Sequence, residues 1–139
     1  METERRKVSV LIPYKIKDGH VLVYLQKRSK TAKRVPGMFG FFGGGAENNE
    51  TQEQALLREI KEELDFTPAG YQLLGFFNLP RADFWAYYQK VRDDFETEIK
   101  ILEGDYGQWF TEEQYFTESK TIEGDKIILR DFFAKITGE

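Results

Sequence analysis

Within the segment TQEQALLREIKEEL, residues 51–64, three glutamates, Glu59, Glu62 and Glu63, stand at positions i, i+3 and i+4. Successive residues of an α-helix turn by about 100°, so a helix here projects the three carboxylates from one face. Like charges held that close raise one another's pKa unless a cation neutralises them, and a cluster of carboxylate oxygens is what Mg²⁺ or Mn²⁺ selects. Arg58 and Glu62 form an i,i+4 pair able to steady the face. Judged on the helix alone, a solvated surface is the commoner explanation, because Glu is a good helix former. Just ahead of it the run FGFFGGG, residues 39–45, places three glycines after an aromatic stretch. That suits a short strand ending in a loop with unusual φ or with another group packed against its backbone.

The elements that must position these residues follow from pattern. Residues 6–14 and 20–28 are rich in Val, Leu and Tyr and flank Lys17, Asp18 and Gly19, which reads as a strand pair joined by an Asp-Gly turn. Residues 51–64 contain no Gly or Pro and begin with Thr51 and Gln54 in capping-box spacing, with Leu56, Leu57, Ile60 and Leu64 on one side. Ala55 shares the acidic face and leaves room there. Strands are expected at 71–79, 83–91, 97–102 and 106–110, a short helix at 111–116 and an amphipathic helix at 125–136. Strands with one long internal helix and one C-terminal helix give an α/β layered fold, and 139 residues suit a single domain over 1–139.

Composition removes whole classes of mechanism. The chain has no cysteine and one histidine, His20, so thiol nucleophiles, Cys-ligated zinc and HExxH sites are excluded and a Ser-His-Asp triad is not expected. With 20 Lys and Arg against 24 Asp and Glu, a general nucleic-acid-binding surface is not expected. Residues 1–7 are charged without an apolar signal-like run, and no run of eighteen apolar residues occurs, so the expectation is a cytoplasmic protein without a membrane partner. Charge is nevertheless segregated. Lys27, Arg28, Lys30, Lys33 and Arg34 crowd together, and Glu47, Glu50, Glu53, Glu59, Glu62 and Glu63 follow. A small anion held through a divalent cation needs such an arrangement, although charge runs by themselves are usually solvated faces.

The stretch GGAENNETQEQALLREIKEELDF resembles the Nudix box, the loop-helix-loop signature of the Nudix hydrolases. Gly44, Glu50, Arg58, Glu59, Ile60, Glu62, Glu63 and Phe66 occupy eight of nine specified slots. The departure is Asp65 where the family has Gly, and Asp is among the few residues that tolerate a left-handed cap. Phe39 and Phe42 stand where the family commonly has Trp and Pro. The resemblance implies a Nudix-type α/β/α sandwich with a mixed sheet, and metal-dependent hydrolysis of a nucleoside diphosphate linked to another group. It further implies that Glu62 and Glu63 are ligands of Mg²⁺ or Mn²⁺, that Glu59 is a ligand or the general base, and that Arg58 is their structural and electrostatic partner. Glu47 matches an acidic position before the box, and Gly43, through its carbonyl, and Gly44 belong to the expected metal and phosphate loop.

Two residues outside the box extend the resemblance. Glu103, in EGDYGQW, matches a loop glutamate of MutT-type enzymes that joins the metal site, with an exposed turn residue as the alternative. Arg28 matches an arginine near the substrate phosphates, while Lys33 and Arg34 are surface charges or lid contacts. Phe41, Phe76, Phe77, Phe84, Trp85, Tyr87, Tyr88 and Trp109 read as core for the most part, with one or two at strand ends able to sandwich a base. The leading expectation is a pyrophosphohydrolase of a small nucleotide such as an oxidised nucleoside triphosphate. The alternatives are a hydrolase of NDP-sugars or dinucleoside polyphosphates, and a Nudix-like binding module without catalysis. Monomer and homodimer are both open.

Overall fold

The computed structural model describes residues 5–138, so of the charged stretch 1–7 only Arg5, Arg6 and Lys7 fall within it. Strand β1 (Lys7–Lys17) is the axis of a seven-stranded mixed sheet that also contains β2 (His20–Lys27), β3 (Phe39–Gly40), β4 (Phe42–Gly45), β5 (Gln72–Asn78), β6 (Asp83–Lys90) and β7 (Tyr106–Thr111). One edge of β1 pairs in parallel with β6, whose outer neighbour is β5. The other edge is shared: residues 8–11 pair with β4 and residues 14–17 with β2, both antiparallel. The β1–β2 turn places both Asp18 (φ 52°) and Gly19 (φ 79°) in the left-handed region, as a two-residue hairpin requires.

Alternation along β1 sorts its side chains between two cores. Val8, Val10 and Ile12 pack with Ile128, Leu129, Phe132 and Phe133 of the C-terminal helix α3 (Glu123–Thr137) and with Tyr115 of α2 (Glu112–Thr117). Leu11 packs with Phe42 and with Leu56, Ile60 and Leu64 of α1 (Gln52–Leu64) on the opposite face. A sheet covered on both faces is an α/β/α sandwich, the architecture expected from sequence. No described helix is long and apolar enough to cross a membrane.

Helix α1 is punctuated as its sequence dictates. The Gln54 N–H donates to the Thr51 hydroxyl at 3.1 Å, and the Thr51 N–H donates to the Gln54 side chain at 2.8 Å. Asp65 ends the helix in the left-handed conformation, φ 50° and ψ 43°. Three expectations need correction. Leu57 is 37% exposed and lies outside the buried stripe of Leu56, Ile60 and Leu64. The glycines at 43–45 lie within strand β4, so they meet β1 as a paired strand and do not form a loop. Residues 97–102 form no strand: a single 3-10 turn, Phe95–Thr97, is followed by extended chain whose Lys100 and Leu102 N–H groups donate to the carbonyls of Leu64 and Glu63. Ile99 and Ile101 pack on the α1-side core, which explains their strand-like alternation, while the backbone donors go to the end of α1.

Since left-handed backbone strains any residue with a Cβ, Asp65→Gly should raise the melting temperature by about 2–4 °C and Asp65→Val should lower it. Thermal unfolding monitored by circular dichroism checks both.

Candidate functional site

The position of Glu59 depends on the glycines beneath it. A Cβ on Gly44 would stand 2.5 Å from the Glu59 carboxyl carbon, so only glycine leaves room for that carboxylate against β4. Gly43 has φ 138°, and a Cβ there would lie 2.1 Å from the carbonyl oxygen of Ser9 on β1. The Gly43 N–H donates to Glu63 Oε1 at 3.0 Å. Glu63 is buried, and the Glu59 side chain is 16% exposed.

Burial is the largest influence on both carboxyls, and it pushes both above the usual carboxylate range. The Gly43 N–H and Arg58 oppose the rise at Glu63 and Glu59 respectively, whereas Glu103 adds to it at Glu63. Two carboxylates in contact with few compensating donors can be relieved by a proton or a cation.

Arg58 organises the opposite side of Glu59. It grips Glu50 with two bonds of 2.7 and 3.0 Å, donates to Glu59 Oε1 and to the Gly45 carbonyl at 3.0 Å each, and reaches Glu62 at 3.4 Å. All five of its N–H groups are thereby engaged, leaving none for a substrate. Glu50 is pulled down to about 2, first by this pair and then by the Glu47 N–H. Arg58 is thus a positioning residue for Glu59.

The glycine strand, Glu59, Glu63 and Glu103 form one wall of a pocket of about 230 Å³. Arg28, expected on the substrate side, lines it, as do Gly43 and Gly44. Glu62 and Glu47 do not. Glu62 is 52% exposed and turned to Arg58, and Glu47, 70% exposed, sits 3.2 Å from Arg58 in a neighbouring recess. Helical spacing put Glu62 on the acidic face, but its long side chain follows the nearest guanidinium. Accordingly, among the described residues no three acidic groups converge into a closed cation cage. The donor set is still all oxygen, which suits a hard cation such as Mg²⁺ or Mn²⁺.

Sequence reading missed the far wall. Asp125 is 3% exposed and accepts from Arg81 Nη2 at 3.1 Å, and both line the pocket with Arg6, Arg34, Phe41 and Ile122. Burial pushes the Asp125 carboxyl up to about 7 against the pull of Arg81 and then Arg28. An Asp in the first turn of α3 reads as ordinary helix-terminal charge; only its burial distinguishes it. Of the aromatics, Phe84, Tyr87 and Tyr88 are core, while Phe76, 53% exposed, packs against Trp85 with ring centroids 4.9 Å apart, away from the pocket.

A model of the NUDIX domain matches residues 4–132, and the chain belongs to that family. It is similar to an ADP-ribose pyrophosphatase of Methanocaldococcus jannaschii, with 37% identity over 67 residues, 48% of this chain. The chain spans only 37% of that relative's length. Two solved structures share the fold at a TM-score of 0.75. The NUDIX domain of Shewanella oneidensis NrtR, complexed with ADP ribose, is 14% identical, with 97% of this chain and 90% of that one covered. A mutT/nudix family protein from Listeria innocua is 23% identical, with 99% and 97% covered.

Gly44→Ala should displace the Glu59 carboxylate and cost little stability, because the obstructing atoms end a flexible side chain. Gly43→Ala should be strongly destabilising, because its obstruction is β1 backbone. Thermal unfolding separates the two. For Asp125, the folded-state value lies above that of a free carboxyl, so its contribution to stability is full at acid pH and is lost as pH rises from about 4 to about 7. Unfolding free energies of wild type and Asp125→Asn across that window should differ most steeply there.

Proposed function

We propose that this protein hydrolyses the diphosphate bridge of a nucleoside diphosphate linked to another group, using Mg²⁺ or Mn²⁺. The observation that carries the reading is the buried Glu59–Glu63 carboxylate pair set against a glycine strand and facing Arg28 across one pocket. These oxygens fit a hard cation held by Glu59 and Glu63, with Glu103 and the Gly43 carbonyl as further donors, Glu62 joining only on leaving Arg58, and Glu47 more remote. When bound, the cation shields phosphate oxygens and lowers the pKa of the attacking water.

The chain's own groups supply the rest. Water attacks phosphorus, the bridging P–O bond breaks, and a carboxylate accepts the water's proton; Glu59 either does so or anchors the cation. Arg58 holds Glu59 in place from behind. Arg28 grips phosphate with the N–H groups left over from its bonds to Gln26 and the Arg34 carbonyl. Gly43 and Gly44 let phosphate approach the backbone.

Nucleoside triphosphates head the substrate classes. ADP-ribose and other NDP-sugars form the second, favoured by the ADP-ribose named for two relatives; dinucleoside polyphosphates come next. A binding module without catalysis is disfavoured because Glu59, Glu62 and Glu63 are all retained. We assign the activity to one domain over 1–139, working in the cytoplasm as a monomer or homodimer without a nucleic-acid polymer or membrane as partner.

Turnover of a nucleotide panel should require added Mg²⁺ and stop in excess EDTA. Glu63→Gln should cut kcat/KM at least a hundredfold, and Glu53→Gln, on the same helix but away from the pocket, should leave it within twofold. At saturating Mg²⁺, Glu59→Gln should act on kcat and Arg28→Ala on KM. Undiminished turnover in EDTA overturns the mechanism.

A further inference from the structure

Four arginines, Arg6, Arg28, Arg34 and Arg81, line the pocket beside the carboxylate wall. Arg81 is neutralised by Asp125 at 3.1 Å. Among the described residues, no carboxylate lies within salt-bridge distance of Arg6, Arg28 or Arg34, although Glu59, Glu63 and Glu103 line the same pocket. Arg28 and Arg34 both lie close enough to act on Arg6. Arg6 is pushed below its ordinary value first by burial and then by Arg34, Arg81 and Arg28, with Glu59 as the opposing influence.

This gathering of like charge is built into the chain. The Arg28 side chain donates to the Arg34 carbonyl at 2.8 Å, and its backbone N–H donates to the Met38 carbonyl at 2.8 Å, so the segment carrying Arg34 is tied back over the pocket. Val35, the next residue, lines the pocket with φ 39°, a left-handed conformation that a β-branched residue adopts only at a cost. At about 230 Å³ the pocket is smaller than the roughly 300–1,000 Å³ of sites that enclose a whole drug-sized ligand. It therefore receives part of a nucleotide, and its lining of guanidiniums and carboxylates selects the phosphates over the base.

We propose that Arg6, Arg28 and Arg34 form an anion subsite beside the Glu59–Glu63 centre, so that the preferred substrate carries at least one ionised phosphate beyond the diphosphate that is cleaved. This rests on the pyrophosphohydrolase reading above. A diphosphate joined to a neutral sugar presents its charge at the bridge, where the carboxylate-held cation already meets it. Three further guanidiniums with no described carboxylate within salt-bridge distance crowd like charge into one pocket, which more anionic charge on the ligand would match. A terminal phosphate supplies about −1.5 to −2, together with oxygens that guanidinium groups can grip bidentately.

Matched pairs isolate that group: ATP against ADP-ribose, and GTP against GDP-mannose, each sharing base and diphosphate, with diadenosine tetraphosphate as a second polyphosphate source. Within each pair at saturating Mg²⁺, kcat/KM should be at least tenfold higher for the triphosphate. Arg34→Ala, a change on an exposed segment, should remove at least tenfold from the triphosphates and less than threefold from the sugars. Diadenosine tetraphosphate outperforming ADP-ribose supports the subsite and identifies a dinucleotide source; ATP outperforming both identifies the mononucleotide.

Calorimetric binding of α,β-methylene-ATP and α,β-methylene-ADP-ribose with Mg²⁺ keeps the subsite separate from the chemistry. Tighter binding of the triphosphate analogue, weakened selectively by Arg34→Ala, sustains the subsite even if no substrate turns over, in which case only the hydrolase reading falls. Equal or tighter binding of the ADP-ribose analogue, or an equal loss of both in Arg34→Ala, overturns the proposal.

Discussion

The close packing of α1 on β4 is the constraint from which the site follows. Helix and strand approach so nearly at Gly44 that a single methyl group would occupy the space of the Glu59 carboxylate. The approach is driven by the apolar stripe of Leu56, Ile60 and Leu64, each fully buried, and its consequence is polar: two carboxylates are carried below the surface with the helix. Burying like charges is unfavourable by several kcal/mol when they are left ionised and unpaired. Here the Gly43 N–H and the Arg58 guanidinium lessen the cost, while burial still pushes both carboxyls above the usual carboxylate range.

Arg58 gives that arrangement its direction. Because all its donors are used on Glu50, Glu59, Glu62 and Gly45, it joins the segment before α1 to the helix and to β4 at once. The network leaves Glu59 with one side against arginine and the other toward the pocket. The segment after the 3-10 turn performs the corresponding task at the other end of α1: its N–H groups satisfy the Glu63 and Leu64 carbonyls, and it then delivers Glu103 to the pocket rim. A strand there would have spent those donors on a neighbour in the sheet.

Across the pocket the charge logic reverses. The carboxylate wall is drawn from α1 and the segment before β7, backed by the glycines of β4, whereas its basic counterpart is drawn from the residue before β1, the segment after β2 and the turn before β6, with the Asp125 carboxylate from α3. Asp125 is in ion-pair contact with Arg81, and Arg6, Arg28 and Arg34 line the pocket beyond that pair. Opposed fields of this kind, with low-dielectric walls, concentrate a ligand that carries negative charge toward a positively charged centre.

Local features of this protein were legible in the sequence because short-range physics sets them. The capping box of Thr51 and Gln54, the left-handed Asp65, the Asp-Gly turn and the spacing of Arg58, Glu59, Glu62 and Glu63 all operate within a few residues, where backbone geometry alone relates one position to the next. Even the need for glycine at 43 and 44 could be anticipated, though not that the glycines lie in a paired strand. Tertiary structure decided the rest. Glu62 turns outward because Arg58 competes for it, Leu57 lies outside the core because the sheet covers only part of the helix, and residues 97–102 leave the sheet because α1 has carbonyls to satisfy. The convergence of Arg6, Arg28, Arg34, Arg81 and Asp125 has no sequence signature, since those positions are scattered along the chain and meet only when β1, β2, β6 and α3 pack. Charge in a sequence is a list of signs; which of those charges lose their water, and which of them face one another, is fixed by burial, and burial belongs to the folded chain.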